Sequence, residues 1–178
     1  MDIYKKWQEQ DTPEKDRTVA LIIGGLIFPL TIPLILAVLM PGLDRRLGLG
    51  SFYLGWGNIA AGAALAAVGG YTALSTVFAQ IRLASGTPFP THPTKKLLIV
   101  GPFRYCRNPM TLGTLMLYGG IAVAVGSFSA LAVVALIGAL LIAYLKIFEE
   151  KELQLRFGDE YAEYKKNTPF MIPRFGKR

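Results

Sequence analysis

Residues 110–145 read MTLGTLMLYGGIAVAVGSFSALAVVALIGALLIAYL, and this run decides the fold. It carries no charge over about 36 positions, whereas one helix needs only about 20 residues to cross a hydrocarbon core roughly 30 Å thick. A single crossing cannot use it all. Gly126-Ser127-Phe128-Ser129 interrupts it near the middle, so the run reads as a hairpin of two spanning helices.

Toward the N-terminus, Phe52 to Phe78 is a second charge-free run, rich in Gly and Ala, a composition that favours close helix contact over lipid exposure. Val19 to Met40 is a third, about 22 residues long. Pro29 and Pro33 lie inside it and can kink a membrane helix without ending it. Residues 1–17 are polar and of mixed sign, and the apolar run after them lacks a small-residue cleavage site, so a signal peptide fits poorly. The chain is 52% hydrophobic and 17% charged, and its apolar residues gather in uninterrupted runs instead of amphipathic stripes. The expectation is an all-α polytopic membrane protein with about four transmembrane helices and a cytoplasmic C-terminal helical cap. It forms a single membrane domain over 1–178. Spans one and two fall in 1–82, a cytoplasmic loop in 83–109, the hairpin in 110–147 and a capping tail in 148–178.

The connections set the orientation. A short turn from Pro41 to Gly50 carries Asp44, Arg45 and Arg46. The longer segment 83–108 is punctuated by Gly86, Pro88, Pro90, Pro93 and Gly101 and is too broken for a spanning helix. Beyond Lys146 comes a charged helix, KIFEEKELQLRF (146–157), stopped at Gly158. A short helical piece over 159–166 and an extended tail around Pro169 and Pro173 follow. Lysine and arginine concentrate in the 83–108 loop and in the tail, which places both termini and that loop on the cytoplasmic side. The net charge of +7 suits a surface beside anionic lipid. Nucleic acid is disfavoured, because the basic residues flank the spans instead of forming one patch. Cys106 and His92 are each the only residue of their type, which excludes an internal disulfide and argues against a metal centre. No Walker or dinucleotide glycine motif is present.

An antiparallel hairpin brings the residues before its first helix to the same interface as those after its second. Arg104, Tyr105, Arg107 and Asn108 therefore face Glu149, Glu150 and Glu152. Asn108-Pro109 is a good N-cap and first-turn pair, which aims free N–H groups and the positive helix end at the same place. Such a cluster suits a zwitterion: arginine and a helix N-terminus for a carboxylate, glutamates for an ammonium or ribose hydroxyls. The plainer readings are that Arg104 and Arg107 anchor the chain at the interface, that Tyr161 and Tyr164 belong to an aromatic belt, and that Glu152 and Arg156 form an ordinary i, i+4 pair.

GPFRYCRNPMTLG (101–113), FEEKEL (148–153), FGDEYAEYKK (157–166), then Pro169 and Ile172-Pro173, resemble the isoprenylcysteine carboxyl methyltransferase and phospholipid methyltransferase superfamily over about residues 95–174. The resemblance implies a membrane-embedded helical fold that binds S-adenosylmethionine on the cytoplasmic side and methylates lipophilic substrates entering from the bilayer. It implies cofactor contacts from Leu98, Tyr105, Arg107, Asn108 and Pro109 and from Leu112 and Gly113 at the start of span three. Glu149, Glu150, Tyr161 and Tyr164 would complete them, and Arg104 or Arg107 would orient the acceptor. The family pattern Arg-His-Pro-x-Tyr reads here Arg107-Asn108-Pro109-Met110-Thr111. Asparagine can cap and hydrogen-bond, yet it cannot carry a proton near neutral pH. Without that histidine the expectation leans to a carboxylate acceptor, which needs no base, with an amine as the alternative. An NADPH-dependent sterol-type reductase and a non-catalytic membrane scaffold of the same fold stay open as other readings.

Overall fold

The computed structural model describes residues 30–84 and 96–174. Residues 1–29, which include the first half of the first expected span, the loop prolines with His92 (85–95) and the last four residues lie outside them. All the elements described are helical. α1 (Ile32–Leu34) runs without a break into a π-turn (Ile35–Leu39) and α2 (Met40–Arg46); α3 is Trp56–Ala84. A 3-10 turn (Gly101–Arg104) leads to α4 (Pro109–Val125) and α5 (Phe128–Tyr144). A second π-turn (Leu145–Glu149) passes the chain to α6 (Glu150–Asn167).

Among the described residues, two helices are long and apolar enough to cross a membrane, Trp56–Leu83 and Phe128–Asn167; α4 is apolar but only 17 residues long. The expected turn at 41–50 differs in the structure, where the helix continues to Arg46. Pro41 has no N–H to donate, and the turn before it widens to the π form instead of breaking.

α3 and α4 lie antiparallel in close backbone contact. A Cβ added at Gly62, Gly69, Gly113 or Gly120 would come under 3.0 Å from backbone of the opposing helix. Between apolar helices in lipid, such approach replaces hydrophobic burial as the source of contact energy. The expected close packing holds for this stripe, while Val68, Tyr71, Leu74 and Phe78 point outward from the same helix. Leu36, Tyr118, Ala122, Ala130 and Val134 form the buried core between α4, α5 and the first π-turn.

The hairpin turns at Gly126, which closes α4 in the left-handed conformation (φ 64°). Ser127 caps α5 by accepting from Ala130 N–H, and Asp44 at the end of α2 fastens the turn. Its carboxylate accepts from Ser127 Oγ (2.5 Å) and from Ser129 N–H (2.9 Å). These hydrogen bonds, Ser127 first and Ser129 second, hold the Asp44 carboxyl below its ordinary value. Asn58 ties the start of α3 to this end, accepting from Leu54 N–H (2.8 Å) and donating to Val123 C=O (3.0 Å) and Phe52 C=O (3.3 Å). That is the helix-joining role expected of a lone polar residue in a span.

Candidate functional site

At the opposite end of the hairpin, the residues flanking its two helices meet. Arg107 sits at the centre with its side chain 9% exposed. Its Nη1 pairs with Glu150 Oε1 at 2.5 Å and donates to the Tyr161 hydroxyl at 3.1 Å, while Nε donates to Thr168 C=O at 3.1 Å. Lys165 binds the other Glu150 oxygen at 2.5 Å. Residues 150 and 165 would stand roughly 22 Å apart on a straight helix. They meet because α6 folds back at Gly158 (φ 54°, ψ −126°), the glycine where sequence places a stop.

The tail then runs back as a strap beside the turn before α4. Arg107 N–H donates to Pro169 C=O (2.9 Å), Asn108 N–H to Phe170 C=O (3.2 Å), and Arg174 N–H to Tyr105 C=O (3.1 Å). Asn108 occupies the N-cap position, yet its side chain does not cap. Nδ2 donates to Phe170 C=O at 2.9 Å, so α4 begins without a side-chain cap. The Phe170 ring lies against the Arg107 guanidinium (5.5 Å) and the Lys146 ammonium (5.1 Å). Tyr164 donates to Phe103 C=O at 2.6 Å, which binds α6 to the 3-10 turn.

The expected residues thus divide. Arg107, Asn108, Glu150, Tyr161 and Tyr164 come together, with Pro109 buried among them; Tyr105 joins through its backbone. Arg104 is exposed, with its guanidinium 5.5 Å from the Tyr105 ring. Gly113 lies against Gly69 and Ala73 in the α3–α4 contact. Leu98 is buried on the chain leading to the 3-10 turn, and Leu112 N–H donates to Asn108 C=O at 3.1 Å in the first turn of α4. Glu152 pairs with Arg156 at 3.1 Å, as the i, i+4 spacing predicts. Lys146, Lys165, Thr168 and Phe170 were not expected as parts of the cluster. Lys165 stands inside the quoted FGDEYAEYKK segment and the other three beside the motifs, but they act through a backbone carbonyl, a ring or a fold-back that no spacing rule encodes.

The electrostatics set Glu149 apart. Burial first, and then the neighbouring Glu152 and Glu150 charges, push its carboxyl up to about 7. Among the described residues it has no hydrogen bond or ion pair. At Glu150, burial also works against the charge, but Lys165 and Arg107 outweigh it and hold the carboxyl below its usual value. Burial raises the Tyr161 phenol and the Cys106 thiol, so both stay neutral at pH 7. Gln80, near the end of α3, has a buried carboxamide oxygen with no hydrogen-bond partner among the described residues.

The sequence profile of the phospholipid methyltransferase family matches residues 58–160. The chain belongs to that family. The match spans α3, α4 and α5, the second π-turn and α6 as far as the residue before Tyr161, so it includes the α3 stripe, where the sequence shows no recognisable motif. No curated protein matches the chain. Membership and the long apolar helices mark a membrane protein of a methyltransferase family.

Proposed function

We propose that the protein is an S-adenosylmethionine-dependent methyltransferase acting on a lipophilic or lipid-linked acceptor. About four spans would hold it in the bilayer, with the Arg107 end of the hairpin facing the cytoplasm. The observation that carries this reading, within a methyltransferase family, is the Glu149 carboxyl, unpaired among the described residues, beside the hydrogen-bonded Arg107–Glu150–Lys165 cluster.

S-adenosylmethionine supplies an already activated methyl on a sulfonium, so the protein has mainly to bind, align and exclude water. Glu149 supplies an unpaired carboxylate for a cationic group, and the uncapped start of α4 offers backbone N–H groups to an anionic one. Arg107 fits the part of organiser: its contacts hold Glu150, Tyr161 and the strap in one place. Tyr161, Tyr164 and the strap would close over the cofactor, and Arg104 would lie nearest the acceptor's polar group.

Glu149 also changes the choice of acceptor. A carboxyl titrating near 7 can take up a proton at neutral pH, which Asn108, standing where the family pattern has histidine, cannot do. An amine headgroup is therefore the acceptor the site supports best. Its nitrogen lone pair forms the new bond to carbon as the carbon–sulfur bond breaks, and its proton passes to Glu149. The test is transfer of tritium from methyl-labelled S-adenosylmethionine in vesicles containing phosphatidylethanolamine, and in parallel with a prenylated cysteine. Label in the phospholipid supports the amine reading, label in the prenylcysteine supports a carboxylate, and label in neither contradicts the proposal.

A further inference from the structure

The face of α3 that touches α4 follows Gly62, Ala66, Gly69 and Ala73, in alternating steps of four and three. The next two positions in that rhythm are Thr76, fully buried, and Gln80. The partners run in step. Gly62 meets Ala124, Ala66 meets Gly120, Gly69 meets Leu117, and Ala73 meets Gly113. The same register sets Thr76 level with Met110 in the first turn of α4, and Gln80 lies one turn further on, past the start of that helix at Pro109. α3 also packs against that 3-10 turn.

The contact stripe is made of glycine, alanine and a threonine whose hydroxyl is satisfied within its own helix, donating to Thr72 C=O at 2.7 Å. Gln80 breaks the pattern at the end nearest the Arg107 cluster, with its carboxamide oxygen buried and unpartnered among the described residues. Buried acceptors are nearly always paired, and leaving one unpaired disfavours the folded state. A leucine or alanine would continue the stripe without that penalty.

We propose that Gln80 is a binding residue of the candidate site, its carboxamide oxygen accepting a hydrogen bond from an N–H or O–H of bound S-adenosylmethionine. This rests on the methyltransferase reading and adds to it a contact from a helix that bears none of the recognised motifs. The donor groups suited to it are an ammonium, a ribose hydroxyl and an exocyclic amine, all present on that molecule.

The test is calorimetric binding of S-adenosylmethionine to the full chain in detergent, with the Tm of each protein measured alongside, for wild type and Gln80→Met. Methionine keeps the length and removes the acceptor. The expected result is binding about tenfold weaker (~1.4 kcal/mol), the scale of one hydrogen bond, with Tm unchanged or raised because the unpaired buried oxygen is gone. Unchanged affinity in Gln80→Met overturns the inference. A lowered Tm together with weaker binding also overturns it, since that is the signature of a packing residue. If wild type itself fails to bind, the methyltransferase reading fails first and the Gln80 contact falls with it.

Discussion

The two ends of the α4–α5 hairpin use the same device and differ in what they leave over. At the turn end, the Asp44 carboxylate is held by Ser127 and Ser129, and the polar side chains of Ser51 and Asn58 are spent on backbone partners. At the other end, Glu150 is held by Arg107 and Lys165, yet Glu149 beside it accepts no hydrogen bond among the described residues, and the Gln80 oxygen is unpartnered. A saturated cluster fixes a turn. One with capacity remaining can take a ligand, and its residual cost in the free protein is the mark of that use.

The strongest way to break this contrast is Arg107→Ala. It leaves Glu150 with Lys165 as its one cation beside Glu149 and releases Thr168 and Tyr161, so a loss of about 3 kcal/mol in stability is expected by denaturant titration in detergent. Loss of cofactor binding in that variant would follow from the fold alone and would not identify a contact. Gly158→Ala should cost about 1–3 kcal/mol, because φ 54° with ψ −126° suits only glycine. It should also raise protease sensitivity of the strap, because the fold-back brings Lys165 to Glu150.

Asp44→Asn sharpens the comparison from the other side. It should lower Tm and leave S-adenosylmethionine binding as in wild type. The pH dependence has opposite signs at the two ends. Asp44 has a depressed folded value, so its contribution is present above about pH 4 and is lost as pH falls through the folded value. Glu149 is raised, so the folded state binds more protons between about 4.5 and 7, and stability falls as pH rises through that window. Replacing Glu149 with Gln should flatten the upper slope and leave the lower one, the smallest of these effects, read from Tm against pH.

Much of this arrangement was legible in the sequence, for identifiable reasons. The hairpin and its break followed from a charge-free run twice the length of a span with Gly126 and Ser127 in the middle. The Arg107–Glu150 meeting followed from hairpin geometry, and the stop at Gly158 from a glycine at the end of the charged helix 146–157. Asp44 was hidden because a carboxylate in a short turn looks solvated until the partner turn is brought beside it. The strap's role was hidden because Thr168, Pro169 and Phe170 act through carbonyls, which every residue has. Gly120 reads in sequence only as part of an apolar run, and Gly113 only as a cofactor contact implied by the resemblance, since their packing role lies in the matching stripe of α3. Gln80 gave no signal by itself, and only the register between two helices marks it.

The most direct test is binding of S-adenosylmethionine near pH 6.5 in two buffers of different ionisation enthalpy, for wild type, Glu149→Gln and Asp44→Asn. If the cationic donor settles beside Glu149, wild type and Asp44→Asn should each release up to about one proton on binding, and Glu149→Gln should release almost none. Absence of binding, or binding by wild type with no proton released, would contradict the assignment of this end of the hairpin as the cofactor site.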